Sequence, residues 1–423
     1  MICPDDKHQH MKILWITNII LPQAAHSLGL PRAVVGGWMQ SAADELAKDP
    51  DINLAVATTY NGNTLWRQEI NHITYYLLPC KNPMRYDKTL EHYWQEIQTD
   101  FKPDLVHIHG TEFPLGLAYV NACSNRHVVV SIQGILTECV KHYYGGISPL
   151  TLMLRTTLHD IAVGTVGKAR RTLQRRSQYE HILLEHMEHV IGRTSWDREA
   201  TARIHPNRQY HFCNETLRKP FYDAHWAYNG CVPHSIFAVG QANMPLKGIH
   251  WLLQALSDIL LQYPDTTVRI AGDKVMPTDF RHHMAYGQYL RHLIRKHHLQ
   301  NHVTFLGALS AEQMVNELMQ ANTFVLPSSV ENSPNALCEA QILGVPCVAA
   351  HVGGVADLIP YNSCGLLYNY NDTKALSQAI CQSFKTANSF DNTTVRRISR
   401  ERHNPATNHA KLMQIYHSIL YNA

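Results

Sequence analysis

The sequence predicts an α/β protein built from two doubly wound parallel sheets. Short apolar runs alternate with helix-length segments along the 423-residue chain, which is typical of parallel strands covered on both faces by helices. Near the middle, around 213–232, this pattern weakens into a polar and aromatic stretch. The length allows two or three domains, each with its own core.

Composition excludes several classes of protein. Hydrophobic residues make up 45% of the chain and charged residues 17%, which excludes a disordered chain. The net charge of +3 is too small to indicate a nucleic-acid partner. The ten cysteines include no C-x-x-C pair, so we expect reduced thiols. With no charged-then-apolar leader and no membrane-length apolar run, we expect a cytoplasmic protein, at most peripheral to the inner face of a membrane.

The first predicted strand, Lys12–Thr17, precedes a loop rich in proline and glycine that we expect to be irregular as far as Val35. Gly36 and Gly37 end this loop, directly before a helical pattern at Trp38–Leu46. Glycines at a helix start let the backbone approach a ligand closely, and a helix N-terminus favours anions. A simple tight turn is the alternative interpretation.

Five further strands are predicted in the first half, at 54–58, 73–79, 105–109, 128–132 and 190–194. His109 ends one of them, on the side where open α/β sheets bind ligands. It is a candidate to bind a sugar or to place an acceptor, and a strand-end histidine with a purely structural role is the alternative. Gln133 follows the next strand. Its amide can donate and accept hydrogen bonds but cannot take up a charge near neutral pH.

Residues 168–176, KARRTLQRR, carry five cations in nine positions. Such a basic helix is a candidate for peripheral contact with anionic lipid or for approach to a phosphorylated, lipid-linked acceptor. A solvated helix face is the alternative.

The second half repeats the alternation, with strands predicted at 235–239, 267–271, 303–306, 323–326, 347–350 and 365–368. Residues 230–233 have the composition of a linker. We therefore expect an N-terminal Rossmann-like domain over 11–230 and a C-terminal one over 231–405. A final helix over 406–421 is expected to cross back onto the first domain.

The most informative stretch runs over 323–359. It reads as a buried strand, a polar loop, a helix from about Ala336, and a second buried strand. Glu331 lies in the loop, and Glu339 lies eight residues later in the helix. At the carboxyl edge of a parallel sheet, a helix start suits phosphate and a carboxylate suits sugar hydroxyls. The arrangement indicates a nucleotide-sugar site.

The two glutamates at this spacing, with Gly344-Val345-Pro346 and Gly353-Gly354, resemble the signature of the family 4 retaining glycosyltransferases (glycosyl transferases group 1) of GT-B fold. The likeness extends more weakly from Met11 to the C-terminus. It implies two Rossmann-like domains facing each other across a cleft, with the acceptor on the N-terminal domain and the nucleotide-sugar on the C-terminal one.

The resemblance also implies roles for individual residues. Glu331 would contact the transferred sugar and Glu339 the ribose, while Lys247 would neutralise the diphosphate. Gln133 stands where many relatives carry a histidine, and Gln241 stands where they carry an arginine that stabilises the leaving group. The catalytic candidates are Glu331, Lys247, Gln133 and His109. The donor-binding candidates are Gly36, Gly37, Gln241, Lys247, Gly272, Gly307, Asn332, Ser333, Asn335, Ala336, Leu337 and Glu339.

No Asp-x-Asp motif stands at a strand end, so we expect no required metal ion and no other cofactor. The predicted reaction is retaining transfer of a hexose-type sugar from a nucleoside-diphosphate donor to a hydroxyl of a glycan or lipid-linked acceptor, in surface polysaccharide biosynthesis. A nucleotide-sugar epimerase and a catalytically inactive nucleotide-sugar-binding protein are the alternatives. A dinucleotide oxidoreductase is disfavoured because no G-x-G-x-x-G follows the first strand.

Overall fold

The computed structural model describes residues 10–30, 37–272 and 284–421. The strands are β1 Met11–Thr17, β2 Ile52–Tyr60, β3 Trp66–Ile70, β4 Ile73–Pro79, β5 Leu105–His109, β6 Val128–Ser131, β7 His189–Gly192, β8 Gln209–Phe212, β9 Ser235–Val239, β10 Thr267–Ala271, β11 Val303–Gly307, β12 Thr323–Leu326, β13 Cys347–Ala350 and β14 Leu366–Tyr368.

The helices of the first half are α1 Pro22–Ser27, α2 Gly37–Leu46, α3 Thr89–Phe101, α4 Leu115–Ala122, α5 Leu136–Lys141, α6 Pro149–Met153, α7 Leu158–Val163, α8 Val166–His186, α9 Ser195–Ala202 and α10 Pro220–Asp223. Those of the second half are α11 Ile249–Gln262, α12 Ala285–Lys296, α13 Ala311–Gln320, α14 Asn335–Leu343, α15 Val355–Leu358, α16 Thr373–Thr386, α17 Asn392–Arg402 and α18 Pro405–Tyr421.

Two sheets confirm the predicted fold class, which is α/β with GT-B architecture. The first has strand order β3-β4-β2-β1-β5-β6-β7-β8, and the second has β11-β10-β9-β12-β13-β14. Every strand pair is parallel except β3 with β4. In the first sheet, successive strands are added first on one side of β1 and then on its other side. The order reverses in the same way at β9 in the second sheet. Ligands of open α/β sheets bind beside the carboxyl ends at such reversal points.

Most predicted strands are confirmed within one or two residues, and the differences occur where tertiary contacts override local pattern. The edge strands β3 and β8 were not predicted, because their half-exposed, polar residues lack an apolar run. The loop before Val35 is not wholly irregular, since Pro22 occupies the first turn of the short helix α1, where proline needs no N–H partner.

The last helix, α18, packs on the first sheet. Ile415, Tyr416 and Ile419 are buried with apolar residues of β1 and β2. The Tyr416 hydroxyl accepts a hydrogen bond from Trp15 Nε1 at 3.0 Å and lies 2.6 Å from His107 Nδ1. Strand β1 and helix α18 therefore pack together on the first sheet, which ties the C-terminal segment to the N-terminal domain.

Candidate donor site in the interdomain cleft

Two loops leave the reversal point of the second sheet side by side, one after β9 and one after β12. The Ser329 N–H donates to the Leu246 carbonyl at 2.8 Å, and its hydroxyl donates to the same oxygen at 3.0 Å. Gly248 has a φ of +72°, and a Cβ at this position would lie 1.8 Å from the Pro327 carbonyl oxygen. Only glycine lets these two loops touch, which explains the Lys-Gly pair at the start of α11.

This loop contact brings Lys247 and Glu331 together. Lys247 Nζ donates to Glu331 Oε1 at 2.7 Å, and the two side chains are 29% and 11% exposed. Burial disfavours the lysine charge, but the adjacent carboxylate outweighs it and raises the pKa of Lys247. The Gly354 N–H holds the Glu331 carbonyl at 3.1 Å. The result is a partly exposed ion pair between the loops that follow β9 and β12.

Helix α14 starts at Asn335, on the same loop as Glu331. Pro334 precedes it and makes no side-chain hydrogen bond to the first turn, so the N-cap side chain does not compete with an anionic group for the first N–H groups. Asn335, Ala336 and Leu337 form the first turn. Their donor-binding roles remain predictions.

Glu339 is the fifth residue of α14 and is 4% exposed. Arg218 donates to both of its carboxylate oxygens, Nε to Oε1 and Nη2 to Oε2, each at 2.8 Å. Burial raises the pKa of Glu339, and the pairing with Arg218 opposes that rise. The carboxylate predicted to contact ribose is therefore held by a cation from the segment between the two sheets, which the sequence analysis did not single out.

Three glycines end the neighbouring strands of the second sheet. The Gly240 N–H donates to the Ala271 carbonyl at 2.8 Å, and the Gly272 N–H donates to the Gly307 carbonyl at 2.9 Å. A Cβ on Gly272 would lie 1.8 Å from the Gly240 carbonyl oxygen. Gln241, half-buried, follows the first of these glycines.

The glycine pair predicted to approach the diphosphate lies on the N-terminal half. Gly37 is the first residue of α2, and Gly36 lies outside the described residues.

Across the cleft, Gln133 belongs to a partly buried polar network. Its amide nitrogen donates to Glu215 Oε1 at 2.6 Å, and its amide oxygen accepts from Arg193 Nη2 at 3.2 Å. Arg193 Nη1 also donates to Glu215 Oε2 at 2.6 Å. With both ends of its amide engaged, Gln133 can position neighbouring groups but cannot shuttle a proton.

His109 is buried on the same side of the cleft. Its ring stacks on His107 with centroids 3.8 Å apart and lies 4.4 Å from Trp15. Burial lowers the pKa of His109 to about 3, so the ring is neutral at physiological pH. Proton uptake by this ring is therefore disfavoured, and contact with a bound sugar remains a prediction.

A cavity of about 580 Å³ opens beside His109 between the first sheet, α2 and α18. Its walls combine apolar groups such as Trp15 and Leu412 with polar ones such as Arg193 and Asn408. The cavity is large enough for one or two sugar rings.

Side-chain contacts connect the two domains across the cleft. Asn332 donates to Asp197 Oδ2 at 2.9 Å and accepts from the Thr194 hydroxyl at 2.7 Å. Asp357 accepts from both the N–H and the hydroxyl of Ser195, at 2.5 and 2.9 Å. Asn332 and Ser333 were predicted to line the donor. That role was assigned to their backbone groups and stays a prediction, while the Asn332 side-chain amide binds the opposite domain and Ser333 is buried.

Sequence reasoning missed Arg218, Glu215 and Asp197, because their partners lie between 22 and 135 residues away along the chain. No local spacing in the sequence indicates such pairs. A charged residue in an otherwise polar, unpatterned segment, such as Arg218, is the only signal the sequence offers.

Within residues 10–30, 37–272 and 284–421, no group of three or more histidine, cysteine or acidic side chains is arranged to hold a metal ion. Across the same described residues, no helix combines the length and apolar character that crossing a bilayer requires.

Part of the second half of the chain matches a known protein family. Residues 233–386 match the family model of glycosyl transferases group 1. YtcC of Bacillus subtilis is 32% identical over 143 residues, which cover 33% of this chain and 34% of that protein. WcaL of Escherichia coli, whose name connects it with colanic acid biosynthesis, is 29% identical over 140 residues, covering 32% of each. The chain spans about a third of the length of these curated relatives.

Solved structures resemble the whole chain in fold. Sucrose-phosphate synthase from Thermosynechococcus elongatus aligns with a TM-score of 0.71 and 17% identity, over 98% of this chain and 100% of that one. Anabaena HepE in complex with UDP-glucose aligns with a TM-score of 0.66 and 16% identity, over 97% and 100% of the two chains. At these identities the likeness establishes the GT-B fold.

Proposed function

We propose that this protein is a glycosyltransferase that moves a hexose-type sugar from a nucleoside-diphosphate donor to a hydroxyl of a glycan or lipid-linked acceptor. The observation that carries the proposal is the Lys247–Glu331 ion pair, which lies at the open start of α14. A lysine and a helix N-terminus together bind a diphosphate. A carboxylate beside them binds sugar hydroxyls.

In this proposal the diphosphate lies against Lys247 and the first turn of α14, which places the sugar beside Glu331. Lys247 then stabilises the negative charge that develops on the departing diphosphate. Glu331 accepts hydrogen bonds from the sugar and stabilises positive charge at its anomeric carbon. Glu339, held by Arg218, accepts hydrogen bonds from the ribose hydroxyls.

The acceptor would enter from the N-terminal side, through the cavity beside His109. Its hydroxyl oxygen forms the new bond to the anomeric carbon as the bond to the diphosphate breaks. The hydroxyl proton passes to the departing phosphate, which supplies the base that Gln133 and His109 cannot. Attack on the face from which the diphosphate leaves retains the anomeric configuration. No divalent ion takes part.

The setting we propose is the assembly of a surface polysaccharide at the cytoplasmic side of a membrane. The similarity of WcaL to 32% of this chain supports this setting. The complex of HepE with UDP-glucose supports a nucleotide-sugar as donor.

A second candidate function, donor binding without turnover, is favoured by one observation. Gln241 occupies the position at which the resembling family carries a second cation, so one source of leaving-group stabilisation is missing. An inactive protein would bind the donor and leave it intact.

The test incubates the protein with UDP-, GDP- and ADP-hexoses, with and without a lipid-linked glycan acceptor, in the presence of EDTA. We expect one donor to release nucleoside diphosphate only when acceptor is present. Glu331→Gln should lower that rate by about a hundredfold, while the exposed-site control Glu96→Gln should not. Donor conversion without acceptor would indicate an epimerase, and binding without release would indicate the inactive protein.

A further inference from the structure

An apolar segment on the surface lies directly before the basic helix α8. The structure has fifteen large hydrophobic side chains that are exposed among the described residues, and six of them fall within 150–163. They are Leu150 at 61% exposed, Met153 at 69%, Leu154 at 77%, Leu158 at 86%, Ile161 at 67% and Val163 at 58%. We call these six side chains the apolar surface segment. Such a concentration on one short stretch marks an interaction surface.

The segment is firmly attached to the protein, so its exposure does not follow from loose packing. Leu152, within the same stretch, and Val166, just after it, are buried in the core of the C-terminal domain. Asp160 is fully buried and forms the capping box of α7 together with the N-cap residue Thr157. It also accepts a hydrogen bond from the Ala285 N–H at 3.2 Å. The backbone is fixed while the six apolar side chains point outward.

Helix α8 adds positive charge immediately next to this segment. Lys168, Arg171 and Arg175 are exposed and share one helix face by their spacing of three and four residues. Over 148–177 the chain carries six cations and one acid, and that acid is the buried Asp160. No exposed negative charge within this stretch offsets the cations.

We propose that the apolar surface segment and the basic face of α8 together form a site that binds an anionic lipid bilayer. Outward apolar side chains on short helices can enter the boundary between headgroups and acyl chains. Flanking cations are attracted to anionic headgroups. Charge complementarity selects this occupant: a protein partner would have to be apolar and acidic at once, and a second copy of the chain would bring like charges together.

This inference goes beyond the proposed function and does not rest on it, because it concerns neither donor nor acceptor chemistry. It would hold the cleft near a membrane surface, where a lipid-linked substrate would be encountered by diffusion in two dimensions.

The test is flotation of the full chain with vesicles of phosphatidylcholine, with or without anionic phosphatidylglycerol, and with no nucleotide present. We expect the protein to bind the anionic vesicles, more weakly at high salt, and to bind pure phosphatidylcholine poorly. Replacing Lys168, Arg171 and Arg175 together by Gln should lower the partition coefficient by about a hundredfold, since each cation near the surface contributes about fivefold. A triple Gln variant of the exposed Lys296, Lys374 and Lys385 is the matched control.

A second variant, Leu154→Gln/Leu158→Gln/Ile161→Gln, removes the apolar contribution. These side chains are exposed, so the fold should survive, and an unchanged Tm checks this. The control is Leu261→Gln, at a leucine that is 84% exposed elsewhere on the surface, and it should bind as the wild type does.

Absence of binding to anionic vesicles would overturn the proposal, as would two triple variants that both bind like the wild type. Light scattering tests the other occupant. A wild-type dimer that the leucine and isoleucine substitutions convert to a monomer, with lipid binding unchanged, would assign this surface to a second copy of the chain instead.

Discussion

At the residue scale, the candidate site contains charged side chains whose burial would destabilise the fold if they had no partner. Glu339 and Arg218 form a bidentate pair, and their side chains are 5% and 19% exposed. Glu331 and Lys247 form a second pair that is more open to solvent. A buried ion of either sign needs a partner, so each pair acts as one unit. The sequence predicted three of these four residues and missed Arg218.

The Arg218–Glu339 pair allows stability to be separated from donor binding. Arg218→Met leaves a buried carboxylate without its cation and should lower the free energy of unfolding by about 3 kcal/mol. Arg218→Met/Glu339→Leu should recover most of this loss but should not recover donor affinity, because the ribose contact is gone. Urea denaturation and donor titration measure the two effects. Restored affinity in the double variant would contradict the ribose role of Glu339.

Glu180 makes the free energy of unfolding depend on pH. It accepts hydrogen bonds from the Thr111 hydroxyl and from the Leu136 and Thr137 N–H groups, at 2.6, 3.1 and 3.3 Å. Burial nevertheless raises its pKa from 4.5 to about 7. Between these two values the folded protein keeps a proton that the unfolded chain has released. Stability from this residue is therefore present at low pH and is lost as the pH rises through about 7.

Glu180→Gln should accordingly change the slope of unfolding free energy against pH, so that the wild-type value minus the variant value falls between about pH 4.5 and pH 7. Glu96→Gln, at an exposed position on α3, should leave the slope as it is. Urea denaturation at several pH values measures both. A slope unchanged in Glu180→Gln would show that Glu180 does not hold a proton in the folded state.

At the element scale, the sequence predicted what local pattern determines. Strands β9, β10, β12 and β13 are mostly apolar, with Arg269 as a charged exception in β10, and their predicted ends agree with the structure. The edge strands were not predicted, because many of their side chains face solvent, as in Gln209–Phe212. Side-chain pairs between distant residues were not predicted either. The amide of Asn332 reaches the opposite domain, and no spacing within the chain reports such a contact.

The final helix α18 is secured by one polar contact within an apolar interface. Tyr416→Phe would leave Trp15 Nε1–H and the His107 ring without this partner, so we expect a loss of about 1–3 kcal/mol in unfolding free energy. The control is Tyr421→Phe on the same helix, whose ring is 71% exposed, and it should cost little. Equal stabilities for both variants would show that the buried hydroxyl does not hold the helix in place.

At the scale of the whole molecule, the cleft is bridged at several points. Asp357 of the second domain receives two hydrogen bonds from Ser195 of the first. Asn332 connects to Thr194 and Asp197 a short distance away. These contacts connect the loop of Glu331 to the domain expected to hold the acceptor. Closing the domains on a bound donor would assemble the site from both sides.

Asp357→Ala should shift the molecule toward an open cleft, because it removes both hydrogen bonds to Ser195. Small-angle scattering should show a larger radius of gyration for this variant, and donor should reduce it. Asp258→Ala, at an exposed site on α11, is the control. An unchanged radius in Asp357→Ala would show that these bonds do not govern closure.

The central claim is that Lys247 and Glu331 bind the diphosphate and the sugar of one activated donor. Isothermal titration of UDP-, GDP- and ADP-hexoses into the wild type, Lys247→Gln and the exposed control Lys374→Gln tests it directly. We expect one class of donor to bind the wild type and the control equally. Its affinity for Lys247→Gln should fall by at least about tenfold, since a charged hydrogen bond contributes about 1.5–3 kcal/mol. Failure of every donor to bind the wild type, or equal binding to Lys247→Gln, would contradict the claim.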